Sequence, residues 1–156
     1  MGLRKILTDV EPALHKTCKP VEKFDERLWR LLDDMRETLL DSGGVGLAAP
    51  QIGILRRVVL VDTGEEILEL INPSLLETDG EQEGPEGCLS IPGKYGWVNR
   101  PYYAKVRAQD REGNWYEAEG EELIARCFCH ELDHLDGILY TQVMDRFLTE
   151  EELAQN

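Results

Sequence analysis

The chain has 156 residues, enough for one catalytic domain (1–156) with a real core. Its 17 Lys+Arg against 31 Asp+Glu give a formal net charge of −14, which disfavours direct binding to nucleic acid or to an anionic membrane. The first residues hold no apolar signal core and no apolar stretch approaches membrane length, so a cytoplasmic protein is expected, with a monomer as the default.

The segment 9–25, with Pro12 and Pro20, reads as loop and turn. From Phe24 to Leu40 the apolar residues Leu28, Leu31, Leu32, Met35 and Leu39 follow helical spacing. Asp25 is the expected N-cap, and the run from Asp41 to Gly44 ends the helix. The stretch Gly43 to Gln51 is rich in glycine and alanine, so a ligand backbone can approach it closely. It lacks the Gly-Lys-Ser/Thr of a phosphate loop; a plain tight turn between helix and strand is the competing reading.

Strands are expected at Arg57–Asp62 and Ile67–Asn72, then an acidic loop at Glu81–Pro85 and an extended, glycine-framed stretch from Glu86 to Gly93. Two more strands, Ala104–Gln109 and Trp115–Glu119, flank a turn at Gly113. A helix is expected from Glu121 to Gly137, and Thr149-Glu150-Glu151-Glu152 reads as the capping-box start of a last short helix.

The chemistry concentrates in His130-Glu131-Leu132-Asp133-His134. Two histidines four apart on a helix lie one turn apart on one face, so both imidazoles reach a single metal ion. Glu131 then projects beside the ion as a base. The competing reading is a solvated helix face with two ordinary histidines. Against it, Leu123, Cys127, His130 and His134 share one stripe, which should point inward, and buried imidazoles need partners.

Two ligands leave a divalent ion short of a third. One metalloprotease class places a third histidine where this chain has Tyr140; other classes use a downstream glutamate, but the last three glutamates here lie together in a surface turn. A zinc peptidase that cuts within chains therefore lacks a visible third ligand. Of the four cysteines, Cys18, Cys127 and Cys129 read as small core residues. Cys88, with Gly87 keeping the backbone beside it open, is the strong candidate, since thiolate suits zinc or iron(II).

Three segments in this order resemble the motifs of the peptide deformylases: Gly44-Val45-Gly46-Leu47-Ala48-Ala49-Pro50-Gln51, Glu86-Gly87-Cys88-Leu89-Ser90 and His130-Glu131-Leu132-Asp133-His134-Leu135. Cys129 stands where that family usually has glutamine, and the short acidic tail differs from the long basic helix by which some members dock on the ribosome.

The resemblance implies an α+β fold: small antiparallel or mixed sheets around a central metal-binding helix, with an amphipathic helix before them. It implies a hydrolase that removes the formyl group from the N-terminal formylmethionine of new polypeptides. The expected ligands are Cys88, His130 and His134, holding iron(II), with nickel, cobalt or zinc able to replace it. Glu131 is expected to move the proton, and Gln51 with the Leu89 N–H to bind the oxyanion. Leu123, Cys127, Val45 and Gly46 are expected around the methionine side chain, with the substrate strand between the Gly46 segment and Glu86-Gly87. The expected partners are formylated nascent chains, with room for a transient ribosome contact by some other surface.

Overall fold

The computed structural model describes residues 2–155. The first long element is α1 (Glu26–Ser42), capped where expected: the Asp25 carboxylate accepts from the Leu28 N–H, and Gly43 leaves the helix in the left-handed region. Three strands follow: β1 (Gly46–Ala48), β2 (Val58–Asp62) and β3 (Ile67–Asp79). Next come β4 (Gln82–Cys88), β5 (Ile91–Arg100), β6 (Tyr103–Gln109) and β7 (Trp115–Glu121). The second long helix, α2 (Leu123–Leu135), precedes a short α3 (Glu150–Ala154) with the expected Thr149–Glu152 capping box.

The strands form two antiparallel sheets, one of five strands in the order β1-β2-β3-β6-β7 and one of two, β4-β5. The larger sheet separates the two helices. Along β2, Val58 and Leu60 pack with Leu28, Leu32, Met35 and Leu39 of α1. Val59 and Val61 face the other way and pack with Ala125, Cys127 and Phe128 of α2. That explains the unbroken apolar run of β2: side chains alternate between faces, and both faces are covered. A third cluster, of Leu14, Ile91, Val98, Leu139 and Tyr140, fills the space under the small sheet.

Two expectations need correction. β3 does not stop at Asn72 but continues to Asp79 through a register shift between Ile71 and Ser74. Asn72 sits there at φ 52, a conformation asparagine tolerates. Its side chain accepts from the Val21 N–H and donates to the Val21 carbonyl, and Pro73 falls where no ladder donor is required. The supposed acidic loop at Glu81–Pro85 lies largely within β4, because each residue from Gln82 to Glu86 has a partner on β5 and Glu86 turns inward. The loop at 9–25 contains one 3-10 turn, Pro12–His15.

The helix ends carry one further constraint. Gly137 follows α2 at φ 74, and a Cβ there would stand 2.7 Å from the His15 carbonyl carbon, so only glycine fits where the chain turns back under the N-terminal segment.

Candidate metal centre

The small sheet and α2 meet at one point. Cys88 ends β4, while His130 and His134 lie one turn apart on α2. Their ligand atoms all lie within 4.8 Å of one another, and the Cys88 Sγ is 3.4 Å from the His134 Nε2. The two imidazole rings stand edge to face with centroids 4.9 Å apart. His134 is fully buried and His130 nearly so. His15, the third histidine, instead lies near the Asp9 carbonyl, and Cys18 packs in the core, so neither joins the cluster.

The donor set suits a divalent ion of borderline softness: one sulfur and two nitrogens, converging on one point. Two buried polar atoms beside it, Glu131 Oε1 and His134 Nδ1, have no hydrogen-bond partner among the described residues. An orphaned carboxylate oxygen at such a position fits a group that awaits a proton donor from the reaction.

The electrostatics divide the titratable groups. Burial, and then His130 beside it, hold the His134 pKa well below its ordinary value, so this imidazole is neutral, as a ligand must be. At His130 burial also opposes charge, but Cys88 and Glu86 outweigh it and hold the ion-free pKa well above the usual range; an ion at its Nε2 would displace that proton. Burial pushes the Glu131 carboxyl up to about 7 in the ion-free chain. Burial likewise pushes the Cys127 thiol up, leaving it a neutral, apolar wall.

A second layer holds the first. Glu86 Oε2 is 2.7 Å from His130 Nδ1, which directs the other ring nitrogen away from Glu86. The same carboxylate accepts from Arg100 Nη2 at 2.7 Å, from Arg100 Nε at 3.0 Å and from Arg126 Nη1 at 2.9 Å. Arg100 reaches on to Asp133 at 2.8 Å. Burial would raise the Glu86 pKa, but the hydrogen bonds from His130 and Arg100 outweigh it and lower it to about 2. Tyr140 packs its ring over that of His130, 6.3 Å between centroids.

On the other side, the Gln51 amide is locked. Its Oε1 accepts from the Ala48 N–H at 2.9 Å, and its Nε2 donates to Ser90 Oγ at 3.1 Å and points at Cys88 Sγ, 3.6 Å away. Gly46 is required by close approach: a Cβ there would stand 2.6 Å from Cys127 Sγ and 2.7 Å from Glu131 Oε2.

A cleft of about 520 Å³ opens over these groups, lined among others by Val45, Gly46, Gln51, Gly87, Leu89, Cys127, His130 and Glu131. On its two flanks lie β1 and β4, each paired with a single strand. Two sequence expectations are refined here. Leu123 is 56% exposed and forms the rim rather than the floor, because the inward stripe of α2 begins a turn later. The Glu86 carboxylate is used up behind His130, which leaves its backbone as the part that can meet a substrate. Sequence reasoning missed Arg100, Arg126 and Asp133. The available signal was Arg126, a charged residue one turn before His130 in the otherwise apolar run 123–129.

A half-buried thiol beside two buried imidazoles, with a carboxylate next to them and a cleft between two strand edges, fits a metal-dependent hydrolase. The comparisons narrow this. Residues 3–150 match the family model described as polypeptide deformylase. A peptide deformylase of Agathobacter rectalis is 53% identical over 145 residues, covering 93% of this chain and 92% of the relative. One from Caldanaerobacter subterraneus is 53% identical over 98% of this chain and 96% of its own. Among solved structures, the Thermotoga maritima peptide deformylase superposes with a TM-score of 0.89 at 40% identity, over 93% of this chain and 99% of that one. The Legionella pneumophila enzyme gives 0.88 at 42% identity, over 98% and 90%. The chain belongs to the polypeptide deformylase family: it is a metal-dependent hydrolase that removes the N-terminal formyl group from newly made polypeptides.

Proposed function

We propose that Cys88, His130 and His134 hold the ion and that Glu131 and Gln51 carry the proton and the developing charge. The convergence of the three ligand atoms within 4.8 Å, with Glu131 and Gln51 on either side, is the observation that supports this reading most directly. When bound, the ion would supply Lewis acidity and lower the pKa of an attacking water.

Glu131 takes the proton from that water and delivers it to the leaving nitrogen. A buried carboxyl beside the ligands, with one oxygen free of any partner among the described residues, suits both halves of that transfer. As the formyl carbon becomes tetrahedral, its oxygen gains charge, and the Gln51 Nε2–H and the Leu89 N–H donate to it. The Ala48 N–H orients Gln51 for this, and its Nε2 gives up only the long contact to Cys88 Sγ to meet the oxygen; one such donor contributes about 3 kcal/mol to lowering the barrier. The formylated chain lies between β1 and β4, adding backbone hydrogen bonds to both edges. Its methionine side chain rests against Val45, Gly46 and Cys127, with Leu123 at the rim and Glu86-Gly87 along the opposite edge. The formyl carbon bears only hydrogen, so a close-walled site disfavours an acetyl group.

Residues 1–156 act as one catalytic domain in this reading. The resident ion is iron(II), with nickel, cobalt or zinc able to take its place, since a mixed sulfur and nitrogen set accepts all four. The enzyme works in the cytoplasm on nascent chains, as a monomer with at most transient ribosome contact; among the described residues no helix is long and apolar enough to cross a membrane.

The test is formate release from a formyl-Met peptide under anaerobic conditions with defined metals, beside the acetyl-Met peptide. Formate from the first alone, with the chain uncut, is expected; internal cleavage would favour a peptidase instead. Cys88→Ala is expected to lose its metal on dialysis, and unchanged metal content would remove Cys88 from the ligand set.

A further inference from the structure

The geometry points to Arg126 as a positioning residue of the metal centre: through Glu86 it sets the register between the strand that carries Cys88 and the helix that carries both histidines. This rests on the metal-site reading above. Glu86 and Cys88 are two residues apart on β4, with a register shift between them. Arg126 and His130 are four residues apart on α2 and so share one face. The Glu86 carboxylate bridges the two elements, one oxygen 2.9 Å from Arg126 Nη1 and the other 2.7 Å from His130 Nδ1.

Arg126 extends the tie to both strands of the small sheet. Its Nη1 donates to the Val98 carbonyl of β5 at 3.0 Å, and its Nη2 to the Gln82 carbonyl of β4 at 3.4 Å. The guanidinium is fixed at three points and nearly buried. Arg100 grips the same carboxylate from the far side and anchors to Asp133, three residues past His130. Arg100 thus ties Glu86 to the later part of α2 through Asp133, whereas Arg126 ties both strands of the small sheet to the helix turn just ahead of the first histidine. A planar fork is required: a lysine ammonium could reach Glu86 but could not hold two carbonyls in the same plane.

The consequence is a division of labour. Without Arg126 the ligands remain and Arg100 still grips Glu86, but the small sheet loses its tie to the turn ahead of His130, the brace on the His130 ring loosens, and the distance from Cys88 to the histidines is less tightly imposed. Loss of such outer partners typically weakens metal affinity by about 10–100-fold.

The experiment compares the parent with Arg126→Met and Arg126→Lys. Each is loaded with Co²⁺, and the readouts are Co²⁺ release to a chelator, the Co²⁺ visible spectrum and Tm of the ion-free protein. Release faster by about 10–100-fold in Arg126→Met, with an altered spectrum, is expected, and Arg126→Lys should fall between. If Arg126→Met does not fold, Arg126→Lys decides alone: faster release supports the inference, and parental release with a parental spectrum overturns it. Parental release from Arg126→Met, whatever its Tm, also overturns it by reducing Arg126 to a packing residue. Cys88→Ala separates this from the underlying reading, since Co²⁺ retained there would mean that the metal site itself was wrongly assigned.

Discussion

Glu131 and its neighbours illustrate what single residues reveal. The pair His130 and His134 declares itself by spacing, and Glu131 follows by adjacency. Cys88 lies 42 residues earlier and is visible only by elimination and by its motif; its 3.4 Å approach to His134 is a product of the fold. Glu86 was legible as part of a motif but not as a brace, because nothing in a strand's sequence says which carboxylate two distant arginines will share. The residue-scale prediction concerns Glu131. Its Oε1 is buried without a partner, so Glu131→Gln should fold and keep its metal. Turnover should fall by about 10²–10⁴-fold, the usual contribution of a positioned acid–base group. Near-parental kcat in a fully metal-loaded variant would remove Glu131 from its role.

Elements were readable where their period was clean. α1 and the C-terminal capping box appear within two residues of expectation, because amphipathic spacing and cap residues act locally. β4 was misread because its acidic residues alternate with Gly84, Pro85 and Gly87, and only the pairing with β5 makes them a strand. The continuation of β3 past Pro73 was hidden for the same reason: the bulge at Asn72 depends on Val21, far away in the chain. The glycine stretch before Gln51 left two readings open, and β1 is both a short edge strand and a wall of the cleft. Gly46→Ala tests that double use. A methyl group would press on Cys127 Sγ and Glu131 Oε2, both held on a rigid helix. Destabilisation of about 1–3 kcal/mol is expected from overpacking. A fall in kcat should accompany it in protein that still carries metal, and unchanged kinetics would show that β1 can retreat from α2.

At the scale of the whole molecule, the net charge of −14 sits around a core in which Glu86 is paired with two guanidiniums and an imidazole. The Glu86 carboxyl, lowered to about 2 in the fold, stands below the ordinary 4.5 of the unfolded chain. A depressed carboxylate adds stability that is fully present above the unfolded value and is lost as pH falls through the folded one. In the ion-free protein the stability difference between the parent and Glu86→Gln should therefore be level between about pH 4.5 and 6.5, shrink towards pH 2, and shrink again at higher pH as His130 loses the proton that Glu86 helps to hold. A difference independent of pH across that window would mean that Glu86 contributes by shape alone. Composition turns attention away from nucleic acid and anionic membrane. It could not foresee that the larger sheet would place one helix on each face and leave the small sheet to bring Cys88 against α2.

The most direct test of the ligand set is X-ray absorption at the metal edge of the zinc-substituted protein. One sulfur at about 2.3 Å and two imidazole nitrogens at about 2.0–2.1 Å are expected. A parent spectrum with no sulfur neighbour, or with more than one, would contradict the assignment of Cys88, His130 and His134 as the ligands.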